Sequence, residues 1–579
     1  DAVSGENTDY LVLKYANDGT LTYSKTFDGG VNGNDEASAL GLVSNEAVVS
    51  GGAYAVANNK NLVSKLLDAT GTVTWSKTYN GQGDNNDVSN YIALDLSGNV
   101  YVAGYSVGLD EDKNLLLHKM DASGNSLWTK TYTGTSGYSP DEVVGLKTDA
   151  SNVYVLGSVR DSAQSYNYAT TKYNNNGDTV WVRKYNNVNE SDRAAALDVN
   201  ASGNVAVTGR TDVNPDDTIA QYDFGTVLYN SAGVQQWATL YNSGGNNVDE
   251  PVALSLTATG NVYVSGRSQV AGVDDITTVK YNSTGVQQWA QTYNGGNGND
   301  RNEAMVVDGN ENVYICGRTT ASNGSFDGLL IKYNSSGVQQ WVKTFNGTGD
   351  GEDRFDKILL DVDGNITVAG KTDVDNTAGV NFDYLVIKYD NSGNVLWDTT
   401  WAYSPTSDDA ATGLASDNDA NLYVTGESYT GAAYSYATLT FGATPQVLVY
   451  NNNQGDDKAK AITVSGTAVY VTGGSTGSGT QYDATTVKYD LGTGIKEALA
   501  NSNMQVYPNP ASAYTNINIT SAINDDMLLV VTDVTGKAVV KTFPRAQQQI
   551  STQGMAAGIY FVNLVQDERI VASQKLIVE

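Results

Sequence analysis

The chain has 579 residues, 64 acidic against 34 basic, for a formal net charge of −30. A surface this negative repels nucleic-acid phosphates, and with no run of 18 apolar residues the sequence offers no membrane-spanning helix. One cysteine excludes an internal disulfide, while 60 glycines and 37 tyrosines point to short strands joined by tight turns. The start at Asp1, without methionine, is that expected of a processed mature protein.

Residues 9–27 hold two strand-like segments, YLVLKY and LTYSKTF, separated by a glycine turn. A unit of about 50 residues then repeats. Its first strand is short (YIALD, RAAALDV) and leads through a turn such as DLSGN or DVDGN to a second, NVYVxG. The third reads DYLVIKYD or DITTVKYN, and after an NSxG turn the fourth reads VLWxxTY. Alternation has period two throughout, and no segment holds a 3.6-residue period. Tryptophans 75, 128, 181, 237, 289, 341 and 397 mark the units, each four residues after a turn glycine, with Tyr23 in the same place one unit earlier. Nine strand segments of the second type end in a glycine, at 51, 104, 157, 209, 266, 317, 370, 426 and 473.

Four antiparallel strands per unit at this period predict the blades of a β-propeller, since one blade buries its faces only against its neighbours. The tryptophan is the expected wedge between blades. The ninth unit, TFGATPQVLVYNN, lacks it, and residues 483–490 supply a further third strand. This segment and residues 9–27 compete for one place in the ring. The expected closure is nine blades joined by pairing of the two chain ends, with ten, or eight plus a displaced unit, as alternatives. The repeat stops near residue 500, and short alternating strands from Met504 onward predict a small Ig-like β-sandwich. The expected domains are 1–500 and 501–579.

Candidate chemistry is sparse. Asp35, Asp87, Asp141, Asp192, Asp249 and Asp300 recur just before the first strand, and read as caps that accept backbone N–H groups. The loops at Asp361, Asp363 and at Asp417, Asp419 place oxygen ligands at alternate positions, as calcium loops do; no glutamate follows at the distal position, and hairpin turns are the favoured reading. After the NVYVxG glycine, four consecutive units carry a cation: Arg210, Arg267, Arg318 and Lys371. On adjacent blades these form a basic arc, suited to a carboxylate or sulfate of a surface polysaccharide, or else paired with the repeating loop aspartates. His118 and Cys316 lie in strand patterns and read as structural, and loop tyrosines such as Tyr166, Tyr168, Tyr434 and Tyr436 fill gaps or stack on sugars. No catalytic constellation or cofactor is expected, calcium apart.

The segments DxxxxKYNSxGxxxW and GNVYVxGxS, over roughly residues 9–490, resemble the bacterial SBBP-type β-propeller repeat proteins, a likeness that implies fold and little about activity. The tryptophan turn LLDATGTVTW also resembles the docking repeat of quinoprotein dehydrogenases, but the paired cysteines of that cofactor site are absent. The C-terminal segment resembles the sorting domain of the type IX secretion system of Bacteroidota. Tyr507-Pro508-Asn509-Pro510, the DVTGK hairpin with Gly536 and Lys537, Gly558 with Tyr560, and the terminal strand with Lys575 carry that likeness. It implies recognition by the translocon, removal of the tag by a surface sortase, and attachment to anionic lipopolysaccharide. The function expected is a non-enzymatic surface binding or adhesion module. A self-assembling structural subunit and an extracellular polysaccharide-degrading enzyme are the alternatives.

Overall fold

The computed structural model describes residues 10–578, except 28–34, 215–220, 491–503, 520–526 and shorter loop stretches of one to five residues. Among the described residues there are only strands and turns. Two compact units result, one spanning 1–440 and 446–491 and the other comprising the C-terminal segment from Gly492.

In the first unit, eight successive sheets have four antiparallel strands each, laid down in chain order. The fifth is typical: Asp249–Leu256, Val262–Val270, Val273–Tyr281 and Gln287–Tyr293. Its last turn shows why the sequence folds this way. Asn282 Oδ1 accepts the backbone N–H groups of Thr284 and Val286, and Gly285 supplies the left-handed φ of +81°. The first strands of consecutive sheets touch one another around a closed ring, from Glu36–Val43 through Asp87–Leu94 to Asp457–Ser465 and back to Glu36–Val43. First strands are therefore inner, and fourth strands form the outer edges.

The core lies between sheets. Phe224, Leu228 and Trp237 of the fourth sheet pack with Leu256, Val262, Val279 and Tyr281 of the fifth. Tyr314, Cys316 and Leu330 of the sixth pack with Phe355, Val368 and Ile387 of the seventh. Ala47 of the first sheet packs on Tyr470 of the ninth.

Six of the repeat tryptophans bridge to the next sheet's turn. Trp237 is 8% exposed, donates from Nε1 to the Ser283 carbonyl at 3.2 Å, and packs at a tilt against the Tyr281 ring, 5.6 Å between centroids. Trp75, Trp128, Trp181 and Trp289 make the corresponding bond to Ala122, Asn175, Ser231 and Ser335 at 3.0–3.2 Å. The turn glycine beneath each indole leaves room for the ring; a Cβ on Gly285 lies 2.5 Å from Trp237 Cγ. The unit after Trp397 has its turn at 442–445, outside the described residues.

The ring closes by pairing of the two chain ends, as expected, but the two segments do not compete for one place. The ninth sheet takes both, in the order Leu21–Phe27, Tyr10–Tyr15, Tyr482–Asp490, Ala468–Thr476, Asp457–Ser465. Tyr10–Tyr15 pairs antiparallel with Leu21–Phe27 and parallel with Tyr482–Asp490. Extra ladder hydrogen bonds favour five strands over leaving one segment unpaired.

The NVYVxG glycines do not end the second strands, which run on past them, as in Val262–Val270. A Cβ on Gly266 lands on the Glu250 carbonyl oxygen, and one on Gly317 or Gly370 on that of Arg301 or Arg354. The bare backbone lets the inner strand come close, and beside it every inner strand carries a β-bulge: Val252 between Pro251 and Ala253, Glu303 between Asn302 and Ala304, Asp356 between Phe355 and Lys357.

The second unit pairs a three-stranded sheet, Met504–Tyr507, Tyr514–Ile519 and Gln547–Ser551, with a four-stranded one built on Leu528–Asp533 and Gly558–Gln566. Ile517, Ile519 and Ile550 of one sheet share a core with Leu529, Val531, Val562 and Leu576 of the other.

Candidate anion-binding face

The recurring aspartates are caps. Asp87, Asp141, Asp249 and Asp300 are buried, and each accepts the N–H of a residue in the preceding loop: Gly81, Gly134, Ser243 and Gly295, at 2.6–2.9 Å. Asp192 accepts from Asn187, and the second oxygens of Asp35 and Asp141 accept from Tyr54 and Arg160 in the second strand. Asp353 and Asp409 continue the series. Burial raises the carboxyls of Asp87, Asp141 and Asp409, with hydrogen bonds opposing it, and takes Asp353 to about 6. At the start of the third strands, burial and the next sheet's cap raise Asp223, beside Asp249, and Asp383, beside Asp409, to about 6.

Because the caps are engaged by backbone, the four predicted cations pair elsewhere. Glu250 lies between Arg210 and Arg267, which binds it at 2.5 Å. Arg267 also reaches Asp274 at 2.8 Å, and Asp274 meets Arg301 at 2.9 Å. Two sheets on, Glu352 gathers Arg318 at 3.2 Å, Lys371 at 3.8 Å and Arg354 at 3.9 Å, and Arg354 holds Asp356 at 2.8 Å. The expected pairing with loop aspartates is thus corrected: the partners are acids one residue beside a cap, or on a third strand. Burial pushes the Glu250 carboxyl up, but hydrogen bonds from Arg267 and Arg210 bring it below the usual range. Burial lowers Lys371, with Glu352 opposing.

Aromatic rings at the start of the third strands lie under these cations. Tyr222 is 4.7 Å from the Arg210 guanidinium, Phe326 is 4.6 Å from that of Arg318, and Phe382 is 3.2 Å from Lys371 Nζ. Tyr166 carries Arg193 at 4.1 Å, and Tyr434 carries Lys458 at 4.0 Å. Tyr168 and Tyr436, by contrast, are buried gap fillers. Arg318 is 16% exposed, and its buried Nε–H has no acceptor among the described residues.

Two residues missed in the sequence complete this face. Glu303 and Asp356 occupy the bulges of adjacent inner strands. Burial, then the charge of Asp356, raises the Glu303 carboxyl against Arg318, Arg354 and Arg301; burial raises Asp356 against Arg354. An acid three residues after a cap aspartate, in DRNE and DRFD, is the available signal, because other units carry Ser38, Asn90, Val144 or Val252 there.

The calcium candidates sit in hairpin turns. Asp361 accepts from the N–H groups of Asp363 and Asn365 and from Lys388 Nζ at 2.7 Å, and Asp417 from Asn421 and Tyr423. Asp363 is exposed, and Asp419 lies outside the described residues. His118 is buried against Thr129 and Tyr79, and burial lowers it to about 4. Cys316 is fully buried, which pushes its thiol up. Of the sorting-segment residues, Tyr507 ends a strand half exposed, Tyr560 is buried with its hydroxyl donating to the Ala556 carbonyl, Gly558 starts the central strand, and Lys575 pairs in register with Phe561. Pro508, Asn509, Pro510, Gly536 and Lys537 lie outside the described residues.

No curated protein matches the sequence. Similar solved structures include Sqt1 from Chaetomium thermophilum, 12% identical over 72% of this chain and 96% of that one, TM-score 0.42. The polysaccharide lyase Uly1 is 13% identical over 63% and 93%, TM-score 0.35. The extracellular domain of a putative one-component system from B. thetaiotaomicron is 10% identical over 100% and 98%, TM-score 0.23. None of these likenesses carries an activity to this chain. Residues 505–579 match the secretion system C-terminal sorting domain. The chain therefore ends in a type IX secretion sorting domain, which marks it for export to, and attachment at, the outer cell surface.

Proposed function

We propose that the chain is a nine-bladed, SBBP-type propeller with an Ig-like sorting sandwich, displayed at the cell surface to bind an anionic glycan without acting on it. The basic arc is the binding face. The observation that carries this reading is the pair of ion-paired clusters, Arg210, Arg267 and Arg301 on Glu250 and Asp274, and Arg318, Arg354 and Lys371 on Glu352, on a chain of net charge −30, with three of the six cations over aromatic rings. A guanidinium supplies a bidentate fork for carboxylate or sulfate, and an aromatic face beside it supplies a stacking surface for a sugar ring. The Arg318 Nε–H still lacks an acceptor among the described residues. The secretion translocon is the export partner; a surface sortase and anionic lipopolysaccharide complete the route. The test is a glycan array probed with the full chain and with Arg267→Ala/Arg318→Ala. Selective binding of uronic or sulfated glycans, lost in the variant at unchanged secondary structure, supports the reading. Unchanged binding with a lower melting temperature leaves the cations a packing role only.

A second reading, cleavage of the same class of polysaccharide, has one observation in its favour: the nonrepeating pair Glu303 and Asp356 on adjacent inner bulges, both raised. A raised carboxyl is suited to proton transfer. Release of new sugar ends by the wild-type chain, abolished in Glu303→Gln, favours this reading over simple binding.

A further inference from the structure

We propose that Tyr10–Tyr15 and Tyr482–Asp490 are alternative occupants of the third position in the closing sheet, and that their exchange sets the length of the tether to the sorting domain. Four observations converge on this. First, the closing sheet is the one five-stranded sheet among the described residues, and its Tyr10–Tyr15 to Tyr482–Asp490 junction is the one parallel strand pairing. Second, the two strands lie side by side with their sequence counterparts aligned: Leu13 opposite Val487, Lys14 opposite Lys488, Tyr15 opposite Tyr489. The shared Lys-Tyr ending is that of the third strands at Lys172-Tyr173, Lys280-Tyr281, Lys332-Tyr333 and Lys388-Tyr389.

Third, Tyr10–Tyr15 brings its own fourth strand. Lys14 pairs with Tyr23 just before a register shift, as Lys280 pairs with Trp289 and Lys332 with Trp341. Among the described residues, no strand from the C-terminal side of Tyr482–Asp490 joins this sheet. Fourth, the orientation already suits exchange. Tyr482–Asp490 runs antiparallel to Ala468–Thr476, and Tyr10–Tyr15 runs parallel to Tyr482–Asp490, so Tyr10–Tyr15 also runs antiparallel to Ala468–Thr476. A sideways move of one strand spacing, about 4.8 Å, without rotation, puts Val12 where Thr486 now faces Thr472.

The product is a four-stranded antiparallel sheet like the other eight, with residues 482–490 released into the chain leading to the sorting domain at 505. The exchange gives up one ladder of hydrogen bonds and frees nine residues of backbone, two terms of opposite sign. Pull on the C-terminal side during export or attachment favours the released state, because only that state lengthens the tether.

Two double variants of the full chain test this, with the fully buried Cys316 left in place. Val12→Cys/Thr486→Cys traps the five-stranded sheet, and Val12→Cys/Thr472→Cys traps the exchanged one. In a glutathione redox buffer both should link within one chain, and hydrogen exchange should show protection over 482–490 kept in the first and lost in the second. In the wild-type chain, amides of 482–490 should exchange through an opening that leaves 468–476 protected. The proposal is overturned if the second pair fails to link within one chain, or links only between chains. It is also overturned if 482–490 stays protected in that linked form, or if the wild-type segment opens only together with 468–476.

Discussion

The wedge between sheets lends itself to a double-mutant cycle at Trp237 and Gly285. Trp237→Ala removes a buried indole, its bond to Ser283 and its tilted ring contact with Tyr281, a loss of about 3–5 kcal/mol by the usual cost of emptying a buried aromatic site. Gly285→Ala acts on the other side of the same contact. Its φ of +81° costs a residue with a Cβ about 1 kcal/mol, and the new methyl sits 2.5 Å from Trp237 Cγ, adding about 1–3 kcal/mol of overpacking. With the indole gone only the backbone term remains. Gly285→Ala should therefore cost about 2–4 kcal/mol in the wild-type chain and about 1 kcal/mol in the Trp237→Ala chain, a coupling of about 1–3 kcal/mol. Urea unfolding of the four chains, followed by circular dichroism and checked for two-state behaviour, measures it. If Gly285→Ala costs the same in both backgrounds, the indole does not seat on the next sheet's turn and the stacking argument fails.

Further outcomes follow from the buried acids and the turns. Asp223 and Asp353, raised to about 6, bind protons more tightly folded than unfolded, so their contribution is complete below about pH 4 and is lost as pH rises through 6. At about 1–3 kcal/mol each, melting at pH 5 should exceed that at pH 8 by a few degrees, and Asp353→Asn should narrow the difference; a higher melting temperature at pH 8 contradicts this. Asp300→Ala leaves the Gly295 N–H without its acceptor and should lower stability by about 1–3 kcal/mol, a loss that Asn at this position partly restores. Because Asp361 and Asp417 already accept turn donors, millimolar calcium should not shift the melting curve; a calcium-dependent rise abolished by Asp361→Ala contradicts the turn reading.

The repeat, the tryptophan wedge and the cap aspartates were legible because each is set by local rules: a turn glycine at fixed spacing, an Asx turn, an alternation of two. The site was only half legible. Arg210, Arg267, Arg318 and Lys371 stood out as departures from the repeat, but Glu250 reaches Arg210 and Glu352 reaches Arg318 by ion pairs that cross from sheet to sheet, and linear spacing gives no measure of that distance. Glu303 and Asp356 were hidden by the bulge itself, which inserts one residue and shifts the face on which alternation places the next. The fifth strand of the closing sheet was missed for a related reason: two segments with one pattern suggest rivals, whereas backbone hydrogen bonding lets them lie side by side.

Titration calorimetry of the full chain with a uronic-acid oligosaccharide, at two salt concentrations and beside Arg267→Ala/Arg318→Ala, tests the role of the basic arc most directly. Saturable binding that weakens with salt and drops at least tenfold in the variant, about 1.4 kcal/mol, is the expected result. Equal affinity in the two chains, or binding indifferent to salt, contradicts an anionic ligand held by these arginines.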